Sequence, residues 1–424
     1  MRPLVLACSL SAFLVTAMSQ DRSPAITVSG NVRVRTEIDM RDFDQSTPPN
    51  TFTLLRARVG MEARPMESVR IFLQLQDSRV FGQERDPSGS FSTLAHTQNV
   101  DLHQGYFELQ HLFVNALTMK VGRQEMSYGN ERMIGSVGWN NVGRSFDGLV
   151  LKYSDSDIAI DAFAATLAEV QLYPPAATPA SVRSQEDRGA DLVGLHASAS
   201  GSGRTYEAYI FHHQDRNQSV PGSSDVKRTT IGARVAGAEQ AVDYDIEAAY
   251  QAGWIRGRSL SAYMLATLMG YRGGGGVVQR LAVGCDVLSG TSAGVTGERS
   301  FDPVFHTGHK FYGFMDYFVA IPAHTQGAGL IDLYGRLTAG LSEKLKADIW
   351  VHHFLTHRDF SVHPLVAPQR ALGQEVDCVV QYRYNTAVTF EVGTSAFFPG
   401  VILRERFGGA AVGLWGYLTA AVSF

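Results

Sequence analysis

Polar and apolar residues alternate along most of this chain with a period of two. In Val32-Arg33-Val34-Arg35-Thr36-Glu37-Ile38 the charges fall on one side and mostly apolar side chains on the other. Leu55-Arg56-Ala57-Arg58-Val59-Gly60-Met61-Glu62 and Val69-Arg70-Ile71-Phe72-Leu73-Gln74-Leu75-Gln76 repeat the pattern. Successive side chains of a strand point to opposite faces, so each segment predicts a strand with one apolar and one polar face. Eighteen such segments run from 26–38 to 411–424, most of them nine to twelve residues long. That is the length a tilted strand needs to cross a bilayer.

The connections carry a second signal, because short and long ones alternate. Short turns are expected at 64–67, 154–157, 201–203, 238–241, 341–342 and 385–386, and long loops at 79–100, 124–144, 169–188, 288–326 and 355–373. Short periplasmic turns and long extracellular loops are the pattern of an outer-membrane barrel. The expected fold is all-β: a transmembrane antiparallel β-barrel of about 18 strands. In lipid every backbone N–H and C=O must find a partner within the protein, which a closed sheet provides without edges. Eighteen strands leave an aqueous lumen, whereas about eight would fill with side chains. The aromatic closing strand Trp415–Phe424, ending on Phe424, is the kind of signal that barrel-assembly machinery reads.

Composition agrees with this. Of 424 residues, 45 % are hydrophobic and only 18 % charged, and the formal net charge is −4. The start of the chain has Arg2, an apolar run from Leu4 to Val15 and the small-x-small site Ala17-Met18-Ser19. Residues 1–19 are therefore expected to be a signal peptide and 20–424 a single barrel in the outer membrane. No later run of 18 or more apolar residues predicts a transmembrane helix. Cys285 and Cys378 lie far apart in alternating segments and are expected as buried or lipid-facing thiols.

Two motifs resemble a known family. Val121-Gly122-Arg123-Gln124-Glu125-Met126-Ser127-Tyr128-Gly129 is followed by Trp139-Asn140-Asn141-Val142-Gly143-Arg144-Ser145-Phe146-Asp147-Gly148. Together they are similar to the signature of the bacterial alginate export family of outer-membrane porins. Gln76-Asp77-Ser78-Arg79, Phe301-Asp302-Pro303, the run Gly308–Asp316 and Phe397-Phe398-Pro399-Gly400 add support. The resemblance implies an eighteen-stranded barrel with a passive, arginine-constricted lumen, and it implies lumen roles for Arg58, Arg123, Glu125, Arg144 and Asp147. Family members include general and small-anion porins, so alginate itself does not follow.

The residues give a partly independent picture. Thirty-one of the 37 basic residues are arginines, whose planar fork grips carboxylates, although GC-rich coding also yields such an excess. Arg33, Arg35, Arg56, Arg58 and Arg70 share the polar faces of the first three strands and form one basic patch. Asp243, Asp245, Glu247, Asp332, Glu375, Asp377 and Glu391 face the lumen elsewhere, beside Arg336 and Arg383. Rings of one charge sign set selectivity, so an anion-selective pore and a transverse field both fit. Part of the aromatic loop 288–326 is expected to fold into the barrel or to pack on its rim, as a constriction or gate.

The expected function is a passive channel for anionic solutes, with an alginate-like polyuronate as one cargo. A general or small-carboxylate uptake porin is the alternative, and a barrel enzyme or a structural barrel comes behind it. Glu125 and Asp147 read as charge partners of Arg123 and Arg144 rather than as catalytic acids. The pairs His212-His213 and His352-His353 cannot chelate together, since neighbours on a strand face opposite ways. No metal, cofactor or nucleic-acid partner is expected. The expected partners are anionic polysaccharide or small anionic solutes and outer-membrane lipids, and the barrel is expected to be monomeric.

Overall fold

The computed structural model describes residues 25–81, 100–171, 187–216, 225–273, 275–360 and 368–424. The expected signal peptide lies outside them, as do parts of the expected loops 79–100, 169–188 and 355–373.

Eighteen antiparallel strands form one sheet that closes on itself. The first strand, β1 (Ala25–Met40), pairs on one side with β2 (Asn50–Met66) and on the other with the last, β18 (Gly413–Ser423). Beyond the last strand residue, Gly30 and Phe424 exchange two backbone hydrogen bonds (2.9 and 3.0 Å). The Phe424 ring covers Gly30 so closely that a Cβ there would collide with it. The terminal aromatic thus seals the seam where the sheet meets itself, over a glycine that leaves room for it.

Period-two patterning explains which way each strand faces. Val28, Val32 and Ile38 of β1, Val59 and Met61 of β2, and Ile71, Leu73 and Leu75 of β3 (Val69–Val80) are all exposed on the outside. A contiguous apolar exterior would be a liability in water, but it matches a bilayer. Exposed Tyr153, Tyr206, Tyr271 and Tyr382 gather toward the short-turn rim, where aromatic girdles sit. Cys285 and Cys378 are free and take outward register positions on strands that are not neighbours.

All eighteen expected segments are strands in the expected order, but many are longer. β1, β2 and β15 (Leu345–Phe360) reach 16, 17 and 16 residues. Pairing continues past the apolar belt because polar flanks can complete a ladder as well as apolar ones. The alternation of loops breaks once. β11 (Val242–Ile255) and β12 (Arg258–Arg272) are joined at the long-loop end by only Arg256-Gly257, with φ of 51° and 73°. Two consecutive positive φ angles make the tight hairpin turn that suits the twist of paired strands.

The lumen is not polar all round, as alternation alone suggests. Phe146, Phe163, Leu192, Tyr209 and Phe211 point inward from β6 (Phe146–Asp155), β7 (Ile158–Gln171), β8 (Asp187–Gly201) and β9 (Arg204–Asp215) and are buried. Phe354, Phe397, Trp415 and Tyr417 do the same from β15, β17 (Val388–Pro399) and β18. These two apolar patches seat two loops that leave the rim and fold into the barrel.

Candidate functional site

Loop 125–145 connects β5 (Leu117–Gln124) to β6 (Phe146–Asp155), and loop 289–329 connects β13 (Val278–Leu288) to β14 (Leu330–Gly340). Both bury apolar side chains. Met126, Met133 and Ile134 of the first join the core against Phe163 and Phe211. Phe301, Tyr312, Met315, Phe318 and Ile321 of the second are almost wholly buried. Phe318 packs at a tilt against Phe354, ring centroids 4.7 Å apart, and Tyr317 likewise against Phe397 at 4.6 Å. Each such side chain withdrawn from a wet lumen contributes roughly 1.5–3 kcal/mol before the entropy of ordering the loop. The aromatic loop therefore folds into the barrel, one of the two placements its composition predicts.

The two loops are stitched together. Ile134 and Phe305 form a parallel bridge, and the Gly135 N–H donates to Phe305 O (2.8 Å) and the Thr307 N–H to Glu131 O (3.1 Å). Arg144 ties the knot: its Nη1 donates to Phe305 O and to His306 O (3.2 Å). Burial holds that guanidinium below its ordinary value, and it stays charged. His306 sits beneath, its Nδ1 2.7 Å from Pro303 O. Burial pushes its ring down to about 4.

Loop 125–145 also crosses the lumen. At one end Arg132 reaches the wall of β11 and β13, with Nη1 2.6 Å from Asp286 and Nε 3.4 Å from Glu247. Burial alone would lower Arg132, but Asp286, Tyr312 and Glu247 raise it well above its usual value. At the other end the loop tip docks on β1 and β2. Arg33 donates to Gly138 O and Asn140 O (both 3.1 Å), and Arg56 donates to the same two carbonyls (2.9 and 3.1 Å). Arg35 donates to Trp139 O (2.8 Å), and Arg58 to Val142 O (3.1 Å). Trp139 is sandwiched between the Arg35 guanidinium at 3.8 Å and the His309 ring at 4.0 Å. That stack joins wall, first loop and second loop.

Among the described residues, two carboxylates form ion pairs with these four arginines. Glu37 pairs with Arg35 at 2.7 Å, and Glu125 with Arg58 at 3.2 Å. Burial would raise the Glu125 carboxyl, but the hydrogen bond with His103 and the charge of Arg58 bring it below its usual range. The crossing loop is thus held against a wall with an excess of positive charge. Asp332, Glu375 and Asp377, on β14 and β16 (Gln369–Arg383), form a buried acidic patch around His352. Glu375 accepts from the Met315 N–H (2.8 Å), so this patch anchors loop 289–329. Beside the acidic patch, at the Arg132 end of the crossing loop, lies a cavity of about 250 Å³ whose lining includes Arg132, Asp286, Asp332, Tyr334, Arg336 and Trp350.

Of the ten positions singled out from sequence, six converge: Arg33, Arg35, Arg56, Arg58, Glu125 and Arg144 all contact the crossing loop or belong to it. The five arginines do so as struts, donating to loop carbonyls and not standing as a free ladder, and Glu125 pairs with Arg58. Arg336 faces the cavity, pairs with Asp348 at 2.7 Å and lies 4.5 Å over Trp350. Arg383 takes an inward register position at the short-turn mouth, exposed and away from the constriction. Arg70 lies toward the same rim, bound to Glu62 (2.8 Å) and Glu108 (3.0 Å).

Arg123 and Asp147 are a correction. They pair with each other at 2.8 Å, but both take the outward register, in line with Phe107, Val121 and Leu149. β5 runs inward at Lys120, Gly122 and Gln124, so the odd-numbered Arg123 belongs to the outer wall near the long-loop rim. The family motif contains both residues without saying which face they take. Sequence reading missed Arg132, Trp139 and His309. Trp139 stands in the quoted motif, but the value of its backbone carbonyl has no sequence signal.

A family model for alginate export matches residues 25–416. Among curated proteins no relative matches. Vanillate-bound OpdK of Pseudomonas aeruginosa has 10 % identity and a TM-score of 0.59, over 94 % of this chain and 98 % of its own. OccAB4 of Acinetobacter baumannii has 9 % identity and a TM-score of 0.62 over 94 % and 98 %. OccK5 of Pseudomonas aeruginosa has 12 % identity and a TM-score of 0.58 over the same shares, 94 % and 98 %. These likenesses establish the shared eighteen-stranded barrel.

Proposed function

Because the chain belongs to the alginate export family and forms an outer-membrane channel, we propose that it passes small anionic solutes, carboxylates foremost, by diffusion. The observation that carries this reading is the charge imbalance at the constriction: four arginines of β1 and β2 against Glu37 and Glu125. A narrow, poorly hydrated passage magnifies such an imbalance, since local charge sets which ion enters. The structural neighbour OpdK was crystallised with vanillate, an aromatic carboxylate, which supports this reading. Each barrel is complete in itself and conducts alone.

The family name favours a second cargo, a polyuronate. A polymer would have to thread a lumen that two stitched loops cross, so on this reading loops 125–145 and 289–329 must swing aside. Solute flux into liposomes separates the two. Benzoate should enter faster than benzamide, and benzamide faster than benzylammonium, while a uronate tetramer should be excluded. Equal rates for the three benzenoid solutes would reject anion preference. Entry of the tetramer at the rate of benzoate would favour the polymer.

A further inference from the structure

We propose that the anion is bound by the backbone of the crossing loop, in a cradle formed by the N–H groups of Trp139, Asn141, Val142 and Gly143. This deepens the anion-channel reading and rests on it.

Five consecutive carbonyls at the loop tip are taken by the barrel wall. Arg33 and Arg56 hold those of Gly138 and Asn140, and Arg35 holds that of Trp139. Ser78 Oγ donates to Asn141 O (2.6 Å), and Arg58 holds Val142 O. None of the peptide bonds is cis. In a trans peptide the C=O of one residue and the N–H of the next point in opposite directions. The N–H groups of residues 139 to 143 must therefore point away from the wall. That of Asn140 closes a turn onto Val137 O (3.1 Å). The other four have no acceptor among the described residues.

The space they face is open. Val142 and the neighbouring Gly138 and Asn140 are exposed, Trp139, Asn141 and Gly143 are half-buried, and a Cβ built on Gly138 meets nothing within 4 Å. Gly143 has φ +82°, and a Cβ there would lie 2.7 Å from Arg58 Nη2, so only glycine lets the tip lie flat on its struts. Backbone N–H groups that converge in this way form a nest for anions. Charged donors on the paired carbonyls polarise the same peptide units and strengthen their N–H groups as donors. The arginines therefore act at second hand. They position and polarise the cradle, and a carboxylate lies on the lumen side of the loop without having to displace them.

The test uses the full-length barrel in detergent micelles with [15N]tryptophan, which labels only four backbone amides in this chain. Benzoate is the probe. Titration should move the Trp139 amide proton downfield and leave those of Trp254, Trp350 and Trp415 in place. In bilayers, Gly138→Asp places a carboxylate beside the cradle, where a Cβ has room, and keeps the carbonyl that Arg33 and Arg56 hold; it should weaken benzoate block about tenfold. Gly138→Ala should block like the parent. If Gly138→Asp fails to assemble, the tryptophan titration decides alone. Benzoate block with an unmoved Trp139 amide would overturn the cradle while leaving an anion channel. Neither block nor shift would remove both.

Discussion

Arg144 shows how much one side chain can carry here. It is the only residue of loop 125–145, all of it described, whose guanidinium reaches carbonyls of the other loop, those of Phe305 and His306. Arg144→Ala should cost the docked loops about 2–4 kcal/mol through orphaned buried acceptors. Single-channel records should then show larger mean conductance and more frequent transitions. Arg144→Lys should not restore the parent trace, because one ammonium cannot serve the same fork of acceptors. His306 adds a pH dependence of definite sign. Burial first, and then Arg144 and Arg132 against the opposing Pro303 and Asp302, sets its folded value at about 4. A freed ring titrates near 6.5, roughly. Its contribution to docking is complete above the higher value and is lost as pH falls toward the lower. Conductance noise should rise between those limits in the parent and should not in His306→Gln. Arg123→Ala combined with Asp147→Ala should leave ion selectivity unchanged, since that pair faces outward; a changed reversal potential would mean that the register argument is wrong.

The loops are the elements on which function turns. Removing 301–318 should take away Phe301, Met315 and Phe318, unseat loop 125–145 at Phe305, and raise conductance severalfold without loss of the barrel. Unchanged conductance would mean that the aromatic segment is packing and not constriction. This is also where legibility from sequence divides. The strands were readable because period-two alternation is local: Val32 and Arg33 report their faces by themselves. The inward fold of loop 289–329 was readable too, because seven aromatics between 301 and 318 have no other place to be buried. What could not be read is the crossing of loop 125–145 to Arg33 and Arg56. That contact is made by main-chain carbonyls about a hundred residues away, and carbonyls have no sequence identity. Arg123 was misplaced for a related reason. A motif gives residue type and spacing, while facing depends on parity within a strand, which Gly122 and the short β5 obscure.

At the scale of the whole molecule the protein is an inside-out barrel whose lumen is divided by its own loops. Closure rests on β1 meeting β18, with Phe424 over Gly30. Gly30→Leu should therefore slow assembly and lower the fraction of barrel that resists unfolding in cold SDS, which gel mobility before and after heating reports. Charge is distributed on the same scale. The excess of arginine sits where the crossing loop touches β1 and β2, and the acidic patch around Glu375 and Asp377 is buried beneath the second loop. Selectivity should follow the patch that faces the open lumen. The reversal potential of the purified barrel in a planar bilayer under a potassium chloride gradient tests this most directly. A clear preference for chloride over potassium is expected, reduced when Arg33 and Arg56 are both replaced by glutamine. A cation preference, or one that the double replacement does not move, would contradict it.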